Sequence, residues 1–127
     1  MMVAGVGTEQ MVNQILQLNP NLDARDNIGR TALHFAAKAG NLAAFRVFVE
    51  LEDVDIDAVT ISGTTPLMSA VESGHIQVVA EGLNNNLNPF LRDGLGRTAL
   101  DIATKYSDSL GDDMRNLIMN AQDQWMS

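Results

Sequence analysis

One run of residues is written three times at a spacing of 33 or 34 positions, and no other property of the chain restricts its fold so severely. "DNIGRTALHFAAKAGN" starts at Asp26, "TISGTTPLMSAVESGH" at Thr60 and "DGLGRTALDIATKYSD" at Asp93. Glycines fall in step at Gly29, Gly63 and Gly96, threonines at Thr31, Thr65 and Thr98, and leucines at Leu33, Leu67 and Leu100. A second glycine series runs through Gly7, Gly40 and Gly74. Self-similarity at this period is the mark of stacked supersecondary units, each too small to bury its own apolar surface.

Local chemistry says how one unit is built. The first glycine permits the positive φ of a tight turn. The threonine two residues later caps the next helix through its hydroxyl, and Pro66 occupies a first helical position, where its missing N–H is harmless. "ALHFAAKAG" is a short helix whose alanines admit a close neighbour and whose glycine suits a left-handed cap. "NLAAFRVFVE" and "HIQVVAEGL" follow with apolar residues at i, i+3 and i+4, the spacing of a second amphipathic helix.

"GRTALHFAAKAGNL", "GTTPLMSAVESGHI" and "GRTALDIATKY" resemble the ankyrin repeat, with its Thr-Pro-Leu-His-x-Ala core, and "NNLNPFLRD" resembles the linker into the next repeat. The resemblance implies an all-α fold, an ankyrin-repeat solenoid of helix-turn-helix units with projecting β-hairpin turns, forming a single domain over 1–127. Residues 1–25 read as a partial first repeat, 26–59 and 60–92 as full repeats, and 93–127 as a terminal capping repeat. Met1 then falls in register with His34, so the first repeat lacks its hairpin and the start of its helix. Either the chain is a fragment or pairs through this end, or a short first helix is tolerated.

Three places depart from the pattern. Gly82 stands inside a second helix, where it costs about 1 kcal/mol relative to alanine, and marks either a close helix contact or a local pocket. Ser107 replaces the capping glycine, and "DSLGDD" reads as a helix-to-helix turn longer than its counterparts. "DMRNLIMNAQDQW" places Met114, Leu117, Ile118, Ala121 and Trp125 on one helical side, with Trp125 expected as a lid on the last repeat.

Composition excludes much chemistry. There are no cysteines, which removes thiolate catalysis and cysteine zinc sites, and no phosphate loop, nucleophile elbow or H-E-x-x-H pair is present. His34 and His75 both occupy positions where the ankyrin signature often has histidine, and His34 is expected to bond locally around Thr31. We therefore expect no enzyme and no cofactor. A net charge of −8 argues against a nucleic-acid surface, and no apolar run approaches the ~20 residues of a membrane span. A cytoplasmic or nuclear location is expected. Some ankyrin repeats are hydroxylated on a linker asparagine, but the matching positions carry Asp23, Asp57 and Phe90.

Ankyrin solenoids use their hairpin tips and the exposed ends of their first helices as a concave protein-binding surface. Transferred by register, that surface comprises Arg25, Asn27, Ile28, Arg30 and Lys38 in the second unit. The third contributes Val59, Ile61, Thr64 and Glu72, and the fourth Arg92, Leu95, Arg97, Lys105 and Tyr106. These positions hold six of the chain's eight lysines and arginines, so the inner face is positive on an otherwise acidic protein. The expected function is a protein-protein interaction module, an adaptor that binds a partner's acidic or amphipathic segment. The alternative is an assembly scaffold, a homodimer or a stack formed through the abbreviated N-terminal repeat.

Overall fold

Helices pair along the chain in the order the repeats dictate. The computed structural model describes residues 25–51 and 54–126. It contains α1 (Ala32–Ala39), α2 (Leu42–Val49), α3 (Pro66–Glu72), α4 (Ile76–Asn84), α5 (Ala99–Ala103) and α6 (Ser109–Met126). First helices α1, α3 and α5 contact one another in sequence, as do second helices α2, α4 and α6, and each first helix packs on its own second helix. The result is two layers of helices, all-α among the described residues. The turns before α1, α3 and α5 project as hairpins held by backbone bonds such as Asp26 N–H to the Arg30 carbonyl, 3.0 Å, without forming a strand. The expected first repeat and its apolar end lie outside the described residues.

Each helix start follows from its threonine. The hydroxyls of Thr31, Thr65 and Thr98 accept the N–H three residues on, and each is completed by a return contact from that residue's side chain. In the last repeat the return partner is a carboxylate, Asp101 accepting from Thr98 N–H at 3.0 Å. In the third it is only the Met68 sulfur at 3.5 Å, with Pro66 fixing the first turn instead. The five in-register glycines Gly29, Gly40, Gly63, Gly74 and Gly96 all have positive φ.

The core lies between the layers. Leu33, Phe45, Leu67, Met68, Val79, Leu87, Met114 and Ile118 are essentially inaccessible to solvent. Alanines Ala36, Ala37, Ala70 and Ala103 of the first helices are buried, and small side chains suit helices that pack on a neighbouring first helix as well as on their own second helix.

His34 ties two repeats together. Its Nδ1 accepts the Thr31 N–H at 3.2 Å, which leaves Nε2 carrying the proton and donating to the Thr64 carbonyl at 2.8 Å. Burial is the main cause holding its pKa below 6.5, opposed by the bond to Thr64. The unfolded chain therefore takes up a proton first, and stability present above about pH 6.5 is lost as pH falls from there through the folded pKa. Urea midpoints are expected to fall between pH 7.5 and 5.5, and His34→Gln is expected to flatten that dependence.

The linker carries a second link. Asp57 accepts the Asn88 N–H at 2.9 Å, joining the linkers of consecutive repeats, and burial raises its pKa despite that bond. A raised carboxylate pKa means that stability is lost as pH climbs from 3.8 through the folded value, so the ionised form is a burden at neutral pH. Asp57→Asn keeps an oxygen for Asn88 and removes the charge. The thermal midpoint of this variant at pH 7 is expected above that of the native chain.

Three sequence expectations need correction or completion. The turn before α6 is not lengthened. Asp108 accepts the Gly111 N–H at 3.3 Å, so the helix begins at Ser109, in register with Leu42 and Ile76, and the Tyr106 carbonyl lies where a Gly111 side chain would be. Arg115 replaces the missing glycine cap by donating to the carbonyls of Ala103 at 3.2 Å and Tyr106 at 2.9 Å. Trp125 is no lid: it is 45% exposed. Met114, Ile118 and Ala121 form the buried stripe, but α6 has 18 residues against nine in α4, so its last turn outruns its neighbour. The Trp125 ring meets Phe90 edge-on, with centroids 6.4 Å apart. Gly82 marks a close contact and not a pocket, because a Cβ there would lie 3.0 Å from Leu87 and 3.4 Å from Phe45.

Candidate functional site

Consecutive first helices pack on one another, so residues in register form rows across the inner face. At the hairpin tips the row is Ile28, Ser62 and Leu95. Below it come Arg30, Thr64 and Arg97, then Phe35, Ser69 and Ile102, then Lys38, Glu72 and Lys105, and finally Ala39, Ser73 and Tyr106. In the first three rows the middle repeat supplies a small polar side chain where both neighbours supply a larger one. The face therefore dips at the middle repeat, forming a cavity of about 230 Å³.

Six of the fourteen predicted residues line this cavity: Ile28, Arg30, Lys38, Thr64, Glu72 and Arg97. Ser62, Ser69, Met68 and Ile102 join them, with Asp93 at the rim of the fourth hairpin. The other eight predicted residues stand outside it. Ile61 and Leu95 are each 79% exposed, and with Ile28 and Val59 they give the hairpin edge an apolar crest. Asn27 is exposed at the tip of the first described hairpin.

The arginines are committed to internal bonds more fully than their row positions suggest. Arg25 donates to the carbonyls of Gly29 at 3.2 Å and Val59 at 2.6 Å, bracing one hairpin against the start of the next. Arg92 donates to the Gly96 carbonyl at 2.7 Å. Arg30 pairs with Asp26 at 2.7 Å and Arg97 with Asp93 at 2.9 Å. These ties hold the pKa of both aspartates below 3.8, through backbone N–H bonds and the guanidinium, which together outweigh the opposing effect of burial. At the far end of α3, the Glu72 carbonyl accepts from Lys105 Nζ at 3.0 Å and Tyr106 Oη at 2.7 Å, while Lys105 also reaches the Glu72 carboxylate at 3.5 Å. Lys38 differs: its ammonium has no hydrogen-bond or ion-pair partner among the described residues.

Phe35 was not among the predicted residues. It is 45% exposed, and the Arg30 guanidinium lies over its ring at 4.5 Å. The signal was available, since Phe35 sits at i−3 from Lys38 and shares its helical face. His75, the other histidine, is partly exposed and joins two repeats: its Nε2 meets the Lys38 carbonyl at 3.1 Å and its ring packs on Gly40. Among the described residues no cluster of histidine and carboxylate side chains suits a metal ion, and no helix is long and apolar enough to cross a membrane.

Comparison with known proteins gives the same repeat. Residues 1–88 match the family model for ankyrin repeats (3 copies). The chain is 31% identical over 95 residues to neurogenic locus notch homolog protein 1 of Xenopus laevis and 30% identical to its Danio rerio counterpart. Neurogenic locus notch homolog protein 2 of Homo sapiens is 32% identical over the same length. Each alignment takes in 75% of this chain and 4% of the relative. In-register capped helices, left-handed glycines and a family match over most of its length agree: the chain belongs to the ankyrin repeat family.

Proposed function

We propose that the chain is a non-enzymatic interaction module that docks an amphipathic, acid-bearing segment of another protein on its inner face. Ankyrin repeats generally mediate protein-protein interaction, and the observation that favours this face is the exposed apolar crest beside a basic trough. Ile61 and Leu95 stand out at the hairpin edge, and Lys38, Arg30 and Arg97 lie behind them. Exposed apolar groups rimmed by polar ones are typical of protein-binding surfaces. Arg25 and Arg92 shape the hairpins in this reading, and Lys105 with Tyr106 braces α3, so the partner's recognition falls on the crest and on Lys38.

Selection of random peptides displayed on phage, with the full chain as bait, tests the proposal. Selected peptides are expected to combine apolar with acidic residues, and Ile61→Asp with Leu95→Asp is expected to weaken them at least about tenfold. Both side chains are largely in solvent, so the double variant should keep its melting midpoint. Binding unaffected by the pair would move the site off this face. Assembly through the N-terminal repeat rests on residues outside those described, and no observation on the described surface favours it.

A further inference from the structure

The dip at the middle repeat has properties that the crest does not share, and they specify an occupant. Resting on the inner-face reading above, we propose that this cavity is an anchor pocket for one monoanionic side chain, an aspartate or glutamate of the docked segment, whose carboxylate pairs with Lys38.

Size is the first consideration. Sites for small molecules and cofactors occupy roughly 300–1,000 Å³. A cavity of about 230 Å³ falls below that range and suits a single side chain. Side chains inserted into pockets near the centre of a contact surface carry a large share of binding energy, and this pocket lies at the middle of the described repeats.

Charge decides the kind of side chain. The wall holds three cations, Arg30, Lys38 and Arg97, and two carboxylates, Glu72 and Asp93. Arg97 is neutralised by Asp93, Arg30 by Asp26 and Glu72 by Lys105, which leaves Lys38 as the unmatched charge. One surplus positive charge matches one carboxylate. A phosphate dianion would exceed it and would meet Glu72 and Asp93 on the same wall. An uncharged apolar side chain would leave Lys38 unanswered and cover the hydroxyls of Ser62, Thr64 and Ser69.

Shape gives the rest. Ile28 and Ile102 offer apolar surface to the methylenes of such a side chain, and the hydroxyls offer donors to its second carboxylate oxygen. The pocket exists because Ser69 is small where its row neighbours are Phe35 and Ile102. Ser69→Ile writes the fourth repeat's residue into the third, a choice the fold already accommodates at that position, and fills the space.

The test uses the full chain and peptides selected from the random display library. One acidic position is expected to be fixed among them. Changing it to the amide is expected to weaken binding about tenfold in the native chain and less than about twofold in Lys38→Gln, the signature of a direct pair in a double-mutant cycle. Ser69→Ile is expected to weaken binding to a similar degree at unchanged melting temperature. Equal loss in the native and Lys38→Gln chains overturns the assignment, as does tighter binding when phosphoserine replaces the acid. Peptides sensitive to Ile61→Asp and Leu95→Asp but indifferent to Lys38 and Ser69 would sink the pocket and leave the inner-face reading standing. Insensitivity to all four positions, or a library that yields no binder, would sink both.

Discussion

Phe45→Ala is expected to lower stability by about 3–5 kcal/mol, the range for truncating a fully buried aromatic ring. Phe45 has no solvent exposure, and its ring tip lies 3.4 Å from where a Gly82 side chain would begin. The ring thus belongs to α2 but fills the space that α4 leaves open by having glycine. A repeat protein is held together by interfaces between neighbours, so the loss falls on the joint between the second and third repeats. Chemical denaturation should then show a lower midpoint and a broader transition as the two sides begin to unfold separately. A second variant checks the location. Gly82→Ala adds helix propensity and a methyl group, and it should be more favourable in the Phe45→Ala chain, where the ring has gone, than in the native one. Additive effects would show that the two residues do not share the joint.

The second large effect separates two glycines that the sequence makes look equivalent. Gly63 and Gly96 both have φ of +80° in the same turn of successive hairpins. Left-handed backbone disfavours any L side chain by about 1–2 kcal/mol, so Gly96→Ala should lose roughly that much, since nothing lies within 4 Å of the added methyl. At Gly63 the methyl would come 2.8 Å from the Gly94 nitrogen, a backbone atom that cannot swing away. Gly94 N–H donates to the Ser62 carbonyl at 2.7 Å, so relieving the clash strains the bond that zips one hairpin to the next. Overpacking of this kind adds about 1–3 kcal/mol, and the total at Gly63 should reach about 2–5 kcal/mol. Equal midpoints for Gly63→Ala and Gly96→Ala would refute the claim that hairpin stacking distinguishes them.

Legibility in the sequence followed the range of the interaction. Thr31, Thr65 and Thr98 were readable as caps because a cap acts within one turn, and the glycine series fixed both register and repeat length. The terminal repeat was misread where a side chain substituted for a backbone habit: Arg115, nine positions on, satisfies the Tyr106 carbonyl, and Asp108 starts the helix without a preceding glycine. Trp125 was misread because helical periodicity says which side a residue takes and nothing about where the neighbouring helix stops. At the inner face, register correctly named Lys38, Ile61 and Leu95 as surface positions. It missed Phe35 and overstated the arginines, since whether a guanidinium is already bonded to a carbonyl 34 residues away, as Arg25 is to Val59, depends on how tightly hairpins stack.

The dip in the inner face belongs to no single repeat. Its floor comes from the third, its walls from the second and fourth, and its depth from the difference between them. Exchange the third and fourth repeats in the gene, and every capped helix and every left-handed glycine would still find its place, yet the small residues would sit at an end with a wall on one side only. Order along the chain thus encodes something that composition and repeat count do not, much as the meaning of a word depends on the sequence of its letters. Two proteins assembled from the same repeats in different order would present differently shaped inner faces.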